Sequence, residues 1–422
     1  MSAPSLFQWH YSDRALGIVA WSGAAIAALM LLGLPQAVSL PLTMLAWILL
    51  WALFLSIVNV GQTFFAFGWE SLLLEAGFLA IFLGSDAYAP SALVILLYRW
   101  LAFRVEFGAG LIKMRGDRCW RDLTCLDYHH ETQPMPNPLS WYFHRLPKRF
   151  HRLEVLGNHV AQLVVPFGLF LPQPVAAVAG AYMILTQVYL VVSGNYAWLN
   201  WITIVVAIAA LPDSLLGVLL PFARSAVIAP PPLFTAGAVG LALLVGALSY
   251  QPVRNLLGRR QLMNYSFNSL HIVNTYGAFG SVTRHRDEVV VEGTDDPDPT
   301  DESPWREYEF KGKPGDPARR PPQVAPYHLR LDWLMWFLPL SPAYGEQWFL
   351  RFLEALLRDD PGLLGLLRAN PFPGRPPLTV RARLYRYRYT TWSERRRSGA
   401  WWVRELMGDY VPAVSLRHAV ES

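Results

Sequence analysis

The chain has 422 residues, of which 53% are hydrophobic and only 16% are charged. Its mean hydropathy is +0.25. In a typical soluble domain the charged fraction is higher, about 25% of the residues. This composition excludes an ordinary soluble protein and indicates an integral membrane protein. The net charge of +5 comes partly from arginines beside apolar runs, without a nucleic-acid-binding motif. We therefore expect membrane lipids among the partners and no nucleic acid.

Eight apolar stretches in the first 250 residues predict membrane-spanning helices, because a helix needs about 20 mostly apolar residues to cross a bilayer. They lie near residues 15–34, 41–60, 70–83, 91–113, 155–171, 175–193, 197–211 and 233–249. The third stretch is short and contains Glu70 and Glu75, so it either crosses the membrane or is re-entrant within the bundle. Residues 1–250 are thus predicted to form a polytopic α-helical bundle of seven or eight transmembrane helices.

The composition changes at about residue 251, and residues 251–422 are predicted to form a soluble α+β domain, a β-sheet or sandwich with inserted helices. "NSLHIVNTYGAFGSVTRHRDEVVVEG" and the acidic "TDDPDPTDESP" predict strands and a hairpin. "YHLRLDWLMWF" and "GEQWFLRFLEALLRDDPGLLGLLRAN" have helical spacing, with a break at Pro361. "LTVRARLYRYRYTTW" predicts a strand with its arginines on one face and its Leu and Tyr residues on the other.

The orientation of this domain depends on the helix count. Basic residues cluster after the fourth span, before the fifth and near residues 254–260, and short basic loops prefer the cytoplasm. Eight spans with the amino terminus inside would place the C-terminal domain inside as well, whereas seven would not. The side of the membrane on which this domain lies stays open.

The fourth span carries charged residues along one helical face. Arg99, Phe103, Glu106, Gly110 and Lys113 follow one another at helical spacing. A charge at the centre of a membrane helix costs roughly 2.5 to 3.5 kcal/mol, so these side chains are expected to point into the bundle and find partners. The residues opposite Arg99, Arg104 and Lys113 are expected to be Glu70 and Glu75. Such a cluster is either a buried structural ion network or a polar cavity for a substrate or proton.

Residues 114–152 form a loop with many polar side chains after this span. Its acidic residues can form local ion pairs with its basic residues. The loop contains Asp117, Arg121, Asp122, Asp127 and Glu131, together with Trp120, His129 and His130. Because "PMPNP" cannot continue a helix, we expect a rigid interfacial lid that covers the charged face of the fourth span.

The only two cysteines, Cys119 and Cys125, also lie in this loop. Their spacing allows a disulfide but is not the C-x-x-C spacing of a redox-active dithiol. We therefore expect a structural disulfide or two ordinary thiols rather than an oxidoreductase. The combination with His129 and His130 matches no common zinc spacing, so no metal and no cofactor are predicted.

Three segments carry a resemblance to a known family. "GQTFFAFGWESLLLEAGFLAIFL", "FRVEFGAGLIKMRGDRCWRDLTCLDYHHETQPMPNPLSWYFHRLP" and "APYHLRLDWLMWF" resemble the lipase maturation factor family, in the same order along the chain. The resemblance implies a membrane protein that assists folding and assembly of secreted dimeric lipases, in animals in the endoplasmic reticulum; in a bacterial host the plasma membrane would be the location. More distantly, the helical region is similar to the membrane region of vitamin K-dependent carboxylases, which transfers no catalytic residue.

Two functions remain as hypotheses. The first is a membrane maturation factor that holds a secreted lipase-like client and needs no catalytic residue. The second is a membrane-embedded enzyme acting on a lipid, quinone-like or peptide substrate. Its candidate catalytic residues are Glu70, Glu75, Arg99, Arg104, Glu106 and Lys113.

Overall fold

The chain packs as two compact units, each assembled from separate stretches. A computed structural model describes residues 3–85, 87–219, 228–341 and 347–416. Unit 1 comprises Met1–Leu123, Leu153–Tyr189 and Leu199–Ser281, and unit 2 comprises Thr124–Arg152, Leu190–Trp198 and Val282–Ser422. The boundary between the two units therefore does not lie at residue 250. Residues 251–281 cluster within unit 1, and most of the loop of residues 114–152 clusters within unit 2.

The first 257 residues are mostly helical. The α-helices are α1 (Asp13–Leu31), α2 (Leu34–Val38), α3 (Leu40–Val60), α4 (Gly68–Ala80), α5 (Ala92–Arg115), α6 (Arg118–Arg121), α7 (Leu126–Thr132), α8 (Ser140–His144), α9 (Lys148–His159), α10 (Val165–Gly168), α11 (Val175–Ser193), α12 (Leu199–Ala207), α13 (Asp213–Leu219), α14 (Pro232–Leu248) and α15 (Tyr250–Leu257). Short 3-10 helices lie at Leu6–Gln8, Gln62–Phe65 and Ile208–Ala210, and a π-helical turn lies at Val160–Val164.

Four helical segments among the described residues are long and apolar enough to cross a membrane. They are Asp13–Leu31, Leu40–Val60, Val175–Ser193 and Pro232–Leu257, the last of which comprises α14 and α15. Serines cap the first two, because Ser12 accepts a hydrogen bond from the Ala15 amide and Ser39 from the Leu42 amide. Many of their large apolar side chains lie at the surface, which suits contact with lipid better than with water.

The predicted count of seven or eight transmembrane helices is not confirmed. Helix α4 has only 13 residues, and the apolar helix Leu199–Ala210 is also short. Helix α5 has 24 residues, but its charged side chains lower its hydropathy. The predicted fifth span is interrupted by the π-helical turn between α9 and α10.

The core of unit 1 forms around α4 and α5. Leu72 of α4 and Val94 and Leu101 of α5 are completely buried in one apolar cluster, together with Met183 of α11 and Ala238 of α14. Helix α5 therefore lies at the centre of this unit, which explains why its charged residues are buried. The strands β1 (Tyr265–Ser266) and β2 (Asn274–Thr275) form a small antiparallel pair in the same unit.

Unit 2 contains a four-stranded antiparallel sheet in the order β4-β3-β5-β6. Its strands are β3 (Arg286–Thr294), β4 (Arg306–Glu307), β5 (Thr379–Tyr389) and β6 (Trp402–Val414). Its C-terminal helices are α16 (Arg330–Phe337), α17 (Trp348–Leu357), α18 (Pro361–Leu364) and α19 (Trp392–Ser398), with a 3-10 helix at Leu338–Leu340. The helical predictions around Pro361 and the predicted strand at "LTVRARLYRYRY" are confirmed.

Both faces of this sheet are covered. Val289 and Val291 of β3 pack on one face with apolar residues of α16 and α17. Val290 packs on the other face with Trp141 of α8 and with aromatic residues of β5 and β6. The second face is covered by aromatic side chains rather than a second sheet within the described residues, so the predicted sandwich is not confirmed.

The predicted division of β5 into an arginine face and a Leu and Tyr face is wrong. Ala382 packs on the same face as Val380, whereas Tyr387 and Tyr389 pack on the opposite face. Residues of equal parity share a face of a strand, so Arg381 lies on the tyrosine face. Leu384 and Tyr385 are adjacent large residues, so the alternation of arginines with Leu and Tyr in the sequence changes phase between them. The side chains of β5 nevertheless continue to alternate between the two faces of the sheet.

Candidate functional site

Two buried polar clusters lie among the residues of unit 1 that the structure describes, and the first is centred on Glu75 of α4. Its carboxylate forms a two-point ion pair with the Arg104 guanidinium of α5. It also accepts hydrogen bonds from the Asn274 amide and side chain, both at 3.0 Å, and from the Tyr276 hydroxyl at 2.7 Å. Arg104 donates a further bond to the Asn274 carbonyl at 2.7 Å. Glu75 and Arg104 are each 1% exposed.

This arrangement meets most of the requirement for burying a charged pair. Two charges withdrawn from water recover their desolvation cost only when their geometry is good and their remaining hydrogen-bonding capacity is used. Here the ion pair is bidentate, and residues of the β2 region complete the coordination of the carboxylate. Helices α4 and α5 are therefore joined to β2 through these bonds, with Arg104 Nε and Asn274 Oδ1 as the buried atoms of the cluster that have no partner among the described residues.

The second cluster contains Glu106 and Lys113 of α5. Gln187 of α11 donates a hydrogen bond to Glu106 at 2.7 Å, and Gln162 donates another at 3.1 Å. The Lys113 ammonium donates to the Gln162 side-chain oxygen at 2.8 Å and to Asn158 at 3.2 Å. A single amide, that of Gln162, therefore links the acid to the base.

Two features of the backbone allow this second cluster to form. Gln162 lies in the π-helical turn, a geometry that occurs frequently where a side chain must be redirected at a site. A Cβ atom at Gly110 would come within 2.9 Å of the Gln162 side chain and 2.7 Å of Leu163. Only glycine at this position lets α5 approach the π-helical turn so closely.

The structure brings together four of the six candidate catalytic residues, as two separate pairs. Arg99 instead donates to backbone carbonyls, those of Ala209 at 3.1 Å and Leu169 at 3.2 Å. These carbonyls lie at helix ends, where backbone oxygens lack partners within the helix. Glu70 is completely buried in the first turn of α4, where the helix dipole favours a negative charge.

The residues of the predicted lid are divided between the two units. Asp117, Cys119, Trp120, Arg121 and Asp122 belong to unit 1. The Trp120 ring lies 4.8 Å from the Lys113 ammonium, a cation-π distance. Asp117 accepts a hydrogen bond from the Cys119 amide, whereas Asp122 and Arg121 are exposed.

The remaining lid residues belong to unit 2: Cys125, Asp127, His129, His130 and Glu131. Glu131 accepts a hydrogen bond from the Tyr389 amide at 2.6 Å, and burial raises the pKa of its carboxyl group. His129 contacts the Tyr196 hydroxyl at 2.9 Å, and Asp127 lies 3.8 Å from the Lys148 ammonium. Both cysteines of the chain are disulfide-bonded.

Buried charges also organise unit 2 around this segment. Arg286 of β3 pairs with Glu288 at 2.6 Å, and Lys313 pairs with the same carboxylate at 2.9 Å. Arg286 also donates to the carbonyls of Glu131 at 2.9 Å and Pro134 at 3.0 Å. The guanidinium therefore fixes the start of the Pro-rich stretch onto β3.

Sequence reasoning missed several partners of the charged residues. Gln187 and Asn200 form a hydrogen bond at 2.7 Å that extends the second cluster. The sequence could have indicated this pair, since an amide side chain in an otherwise apolar span needs a hydrogen-bonding partner. Asn274 and Tyr276 gave no such signal, because they follow the apparent start of a soluble domain.

Comparison with known proteins agrees with this architecture. Residues 1–218 match the lipase maturation factor transmembrane domain, and residues 272–412 match the lipase maturation factor C-terminal domain. The chain is 45% identical to Lipase maturation factor 1 of Bos taurus, over 97% of this chain and 77% of the relative. It is 44% identical to Lipase maturation factor 1 of Homo sapiens, over 97% of this chain and 76% of the relative.

A more distant relative, Lipase maturation factor 2 of Homo sapiens, is 29% identical over 88% of this chain and 69% of its own length. No solved structure matches the chain. The spans and these relatives indicate an integral membrane protein and do not favour the membrane-enzyme interpretation. The chain belongs to the lipase maturation factor family.

Proposed function

We propose that this chain is a membrane-embedded factor that assists the folding and assembly of secreted lipases. The observation that carries the proposal is its 45% identity to Lipase maturation factor 1 of Bos taurus over 97% of the chain. The client would be a lipase folding at the same membrane. The host decides the location: the endoplasmic reticulum membrane in a eukaryote, or the plasma membrane in a bacterium.

We infer that the buried charges of unit 1 hold its helices together rather than carry out a reaction. The supporting observation is that Glu75, Arg104, Glu106 and Lys113 each have hydrogen-bonding partners within unit 1. A general acid or base needs a route to a substrate atom within hydrogen-bonding distance. Pairing of these four charged groups with protein partners favours a structural role.

We also propose that α5 and the shorter apolar helices complete the membrane-embedded bundle, giving seven or eight spans. The burial of α5 at the centre of unit 1 supports this, since charged side chains are tolerated at membrane depth when they face protein. Single cysteines introduced at Ser91 and at the exposed Arg118, beyond either end of α5, test it. Opposite accessibility to an impermeant thiol reagent in intact cells supports a span, and equal accessibility contradicts it.

The proposed function is tested by rescue. The chain is expressed in human cells whose own Lipase maturation factor 1 has been removed, together with a secreted dimeric lipase. We expect the activity of the secreted lipase, per amount of lipase protein, to rise well above that of cells with an empty vector. A secreted reporter enzyme other than a lipase controls for general effects on secretion.

A further inference from the structure

A pocket of about 410 Å³ lies in unit 1, next to the first polar cluster, whose Asn274 side chain donates to the backbone carbonyls of Ser71 and His271. Its walls come from the end of α3, the turn before α4, the first part of α4 and residues 264–271. This volume lies within the range of small-molecule sites, about 300 to 1,000 Å³. We call it the Ser71 pocket, after the α4 residue in its wall.

Aromatic rings provide much of the apolar surface of the Ser71 pocket. Phe65 and Phe67 line it before α4, and Tyr265 and Phe267 line it from the β1 region. The rings of Tyr265 and Phe267 contact each other edge to face, with centroids 5.1 Å apart. Flat, rigid rings bury a large apolar area of a ligand at low cost in conformational entropy.

The polar part of the pocket includes a serine-histidine pair. The Ser71 hydroxyl lies 3.1 Å from His271 Nδ1, and both residues line the pocket. If the Ser71 hydroxyl donates to Nδ1, the neutral His271 ring carries its proton on Nε2. If Nδ1 carries the proton and donates to Ser71, the hydroxyl proton of Ser71 can be donated to another acceptor. In either tautomer the pair retains one donor that can bind an acceptor on a ligand.

The pocket is suited to an uncharged ligand. Asp, Glu, Lys and Arg are absent from the described residues that line it. Burial lowers the pKa of His271, so the imidazole is neutral near pH 7. A phosphate or carboxylate headgroup would therefore lose water there without gaining a cation.

The position of the pocket identifies the source of such a ligand. Asn59, in the last turn of α3, lines the pocket, and α3 is long and apolar enough to cross a membrane. The end of a membrane-spanning helix lies at the interfacial region of the bilayer. At that depth, the ester groups of lipids are the abundant uncharged acceptors.

We propose that the Ser71 pocket binds a neutral ester lipid of the acylglycerol class. An ester carbonyl accepts the hydrogen bond of the Ser71–His271 pair, and the acyl chain packs against the aromatic walls. This binding is independent of the proposed lipase maturation, so either can fail without the other.

The test uses the full chain in phosphatidylcholine nanodiscs and a photoactivatable diacylglycerol, with cross-links mapped by mass spectrometry. A phosphatidylserine carrying the same photoactivatable acyl chain is the charged comparison. We expect saturable labelling of residues 65–71 or 264–271 by the diacylglycerol, competed by unlabelled diacylglycerol, and weaker labelling by the phosphatidylserine. Labelling that does not saturate, or that is equal for both lipids, would overturn the proposal.

Three variants connect the labelling to the pocket. Ser71→Ala removes one partner of the pair and should reduce saturable labelling about fivefold, the effect of one lost hydrogen bond. Ala66→Trp, at the exposed rim, should block the pocket and abolish labelling without altering the pair. Ser22→Ala, on the exposed surface of α1, is the matched control and should label like the wild type. Undiminished labelling in a folded Ala66→Trp variant contradicts the proposal even if Ser71→Ala fails to fold.

Discussion

Gln162 donates a hydrogen bond to Glu106 at 3.1 Å while its side-chain oxygen accepts one from Lys113 at 2.8 Å. An amide can do both at once because it carries a donor and an acceptor. The carboxylate and the ammonium thus share one neutral bridge between α5 and the π-helical turn. This bridge stabilises two buried charges without a direct contact between them.

Replacing Gln162 should therefore destabilise the protein strongly. Gln162→Leu removes one partner from Glu106 and one from Lys113, and each loss at a buried charge costs about 1 to 3 kcal/mol or more. We expect the free energy of unfolding in detergent to fall by about 3 kcal/mol. Gln251→Leu, at an exposed position of α15, is the control and should change it by less than about 0.5 kcal/mol. A Gln162→Leu protein as stable as this control would contradict the bridging role.

The Glu75–Arg104 pair should show strong coupling. Arg104→Met leaves the Glu75 carboxylate buried without its cation, which costs about 3 to 5 kcal/mol. Adding Glu75→Gln removes the charge but keeps hydrogen-bonding capacity towards Asn274 and Tyr276, so the double variant should recover at least about 1 kcal/mol. A thermodynamic double-mutant cycle measures this. As the control, Arg118→Met breaks an exposed ion pair with Asp122 and should cost at most about 1 kcal/mol. If the free-energy changes of the Glu75 and Arg104 substitutions simply add, the coupling is refuted.

Arg286 should be irreplaceable by lysine. Its guanidinium pairs with Glu288 and also donates to the carbonyls of Glu131 and Pro134. Lysine keeps the charge but lacks the planar fork of donors, so the carbonyl contacts should be lost. We expect Arg286→Lys to raise amide hydrogen exchange in residues 131–137. Arg386→Lys, at a half-buried position of β5 where the guanidinium pairs with Asp287, is the control, and equal exchange in both variants would argue against anchoring by Arg286.

Unit 2 should lose stability in mild acid through His328. Burial lowers the pKa of this buried imidazole to about 2, whereas an unfolded histidine has a pKa of about 6.5. The unfolded state then binds the extra proton as the pH falls below about 6.5, so stability decreases. For one such group the loss between pH 7 and pH 5 is about 2 kcal/mol.

The comparison variant is His328→Asn, which cannot titrate. Its free energy of unfolding should depend less on pH by that amount over the same interval. His10→Asn, at an exposed position near the amino terminus, should leave the pH dependence of the wild type unchanged. An identical pH dependence for wild type and His328→Asn would show that His328 is not held neutral.

The sequence predicted the strongest elements because their signals are local. The apolar runs of α1, α3, α11 and α14 and the helix break at Pro361 depend on nearby residues. The partners of the charges were less accessible, since Glu75 meets Asn274 and Tyr276 from about 200 residues away in sequence. The cost of placing charge in a membrane helix correctly required partners for Arg104 and Lys113 but could not distinguish a carboxylate from an amide.

Strand patterns were least reliable where they changed phase. Two consecutive large residues, Leu384 and Tyr385, shift the apparent alternation of β5, so its predicted arginine face was wrong. Residues 251–281, which the sequence pattern assigns to a soluble domain, cluster within unit 1. Short strands in an alternating segment carry no mark of whether they pack on helices or on a sheet.

Rescue of a secreted lipase tests the maturation function and the structural role of the buried charges most directly. The measurement is the specific activity of a secreted dimeric lipase in human cells that lack their own Lipase maturation factor 1. The cells express either this chain or its Glu106→Gln variant. Glutamine keeps one side-chain acceptor for Gln187 or Gln162 and removes the charge, so a structural role of Glu106 requires only that the variant remain folded. We predict that both proteins, at equal abundance, restore lipase activity to within about twofold of each other, a difference of about 0.4 kcal/mol. No restoration by the wild-type chain would contradict the maturation function, and loss of rescue by a folded Glu106→Gln variant would contradict the structural role of the buried charges.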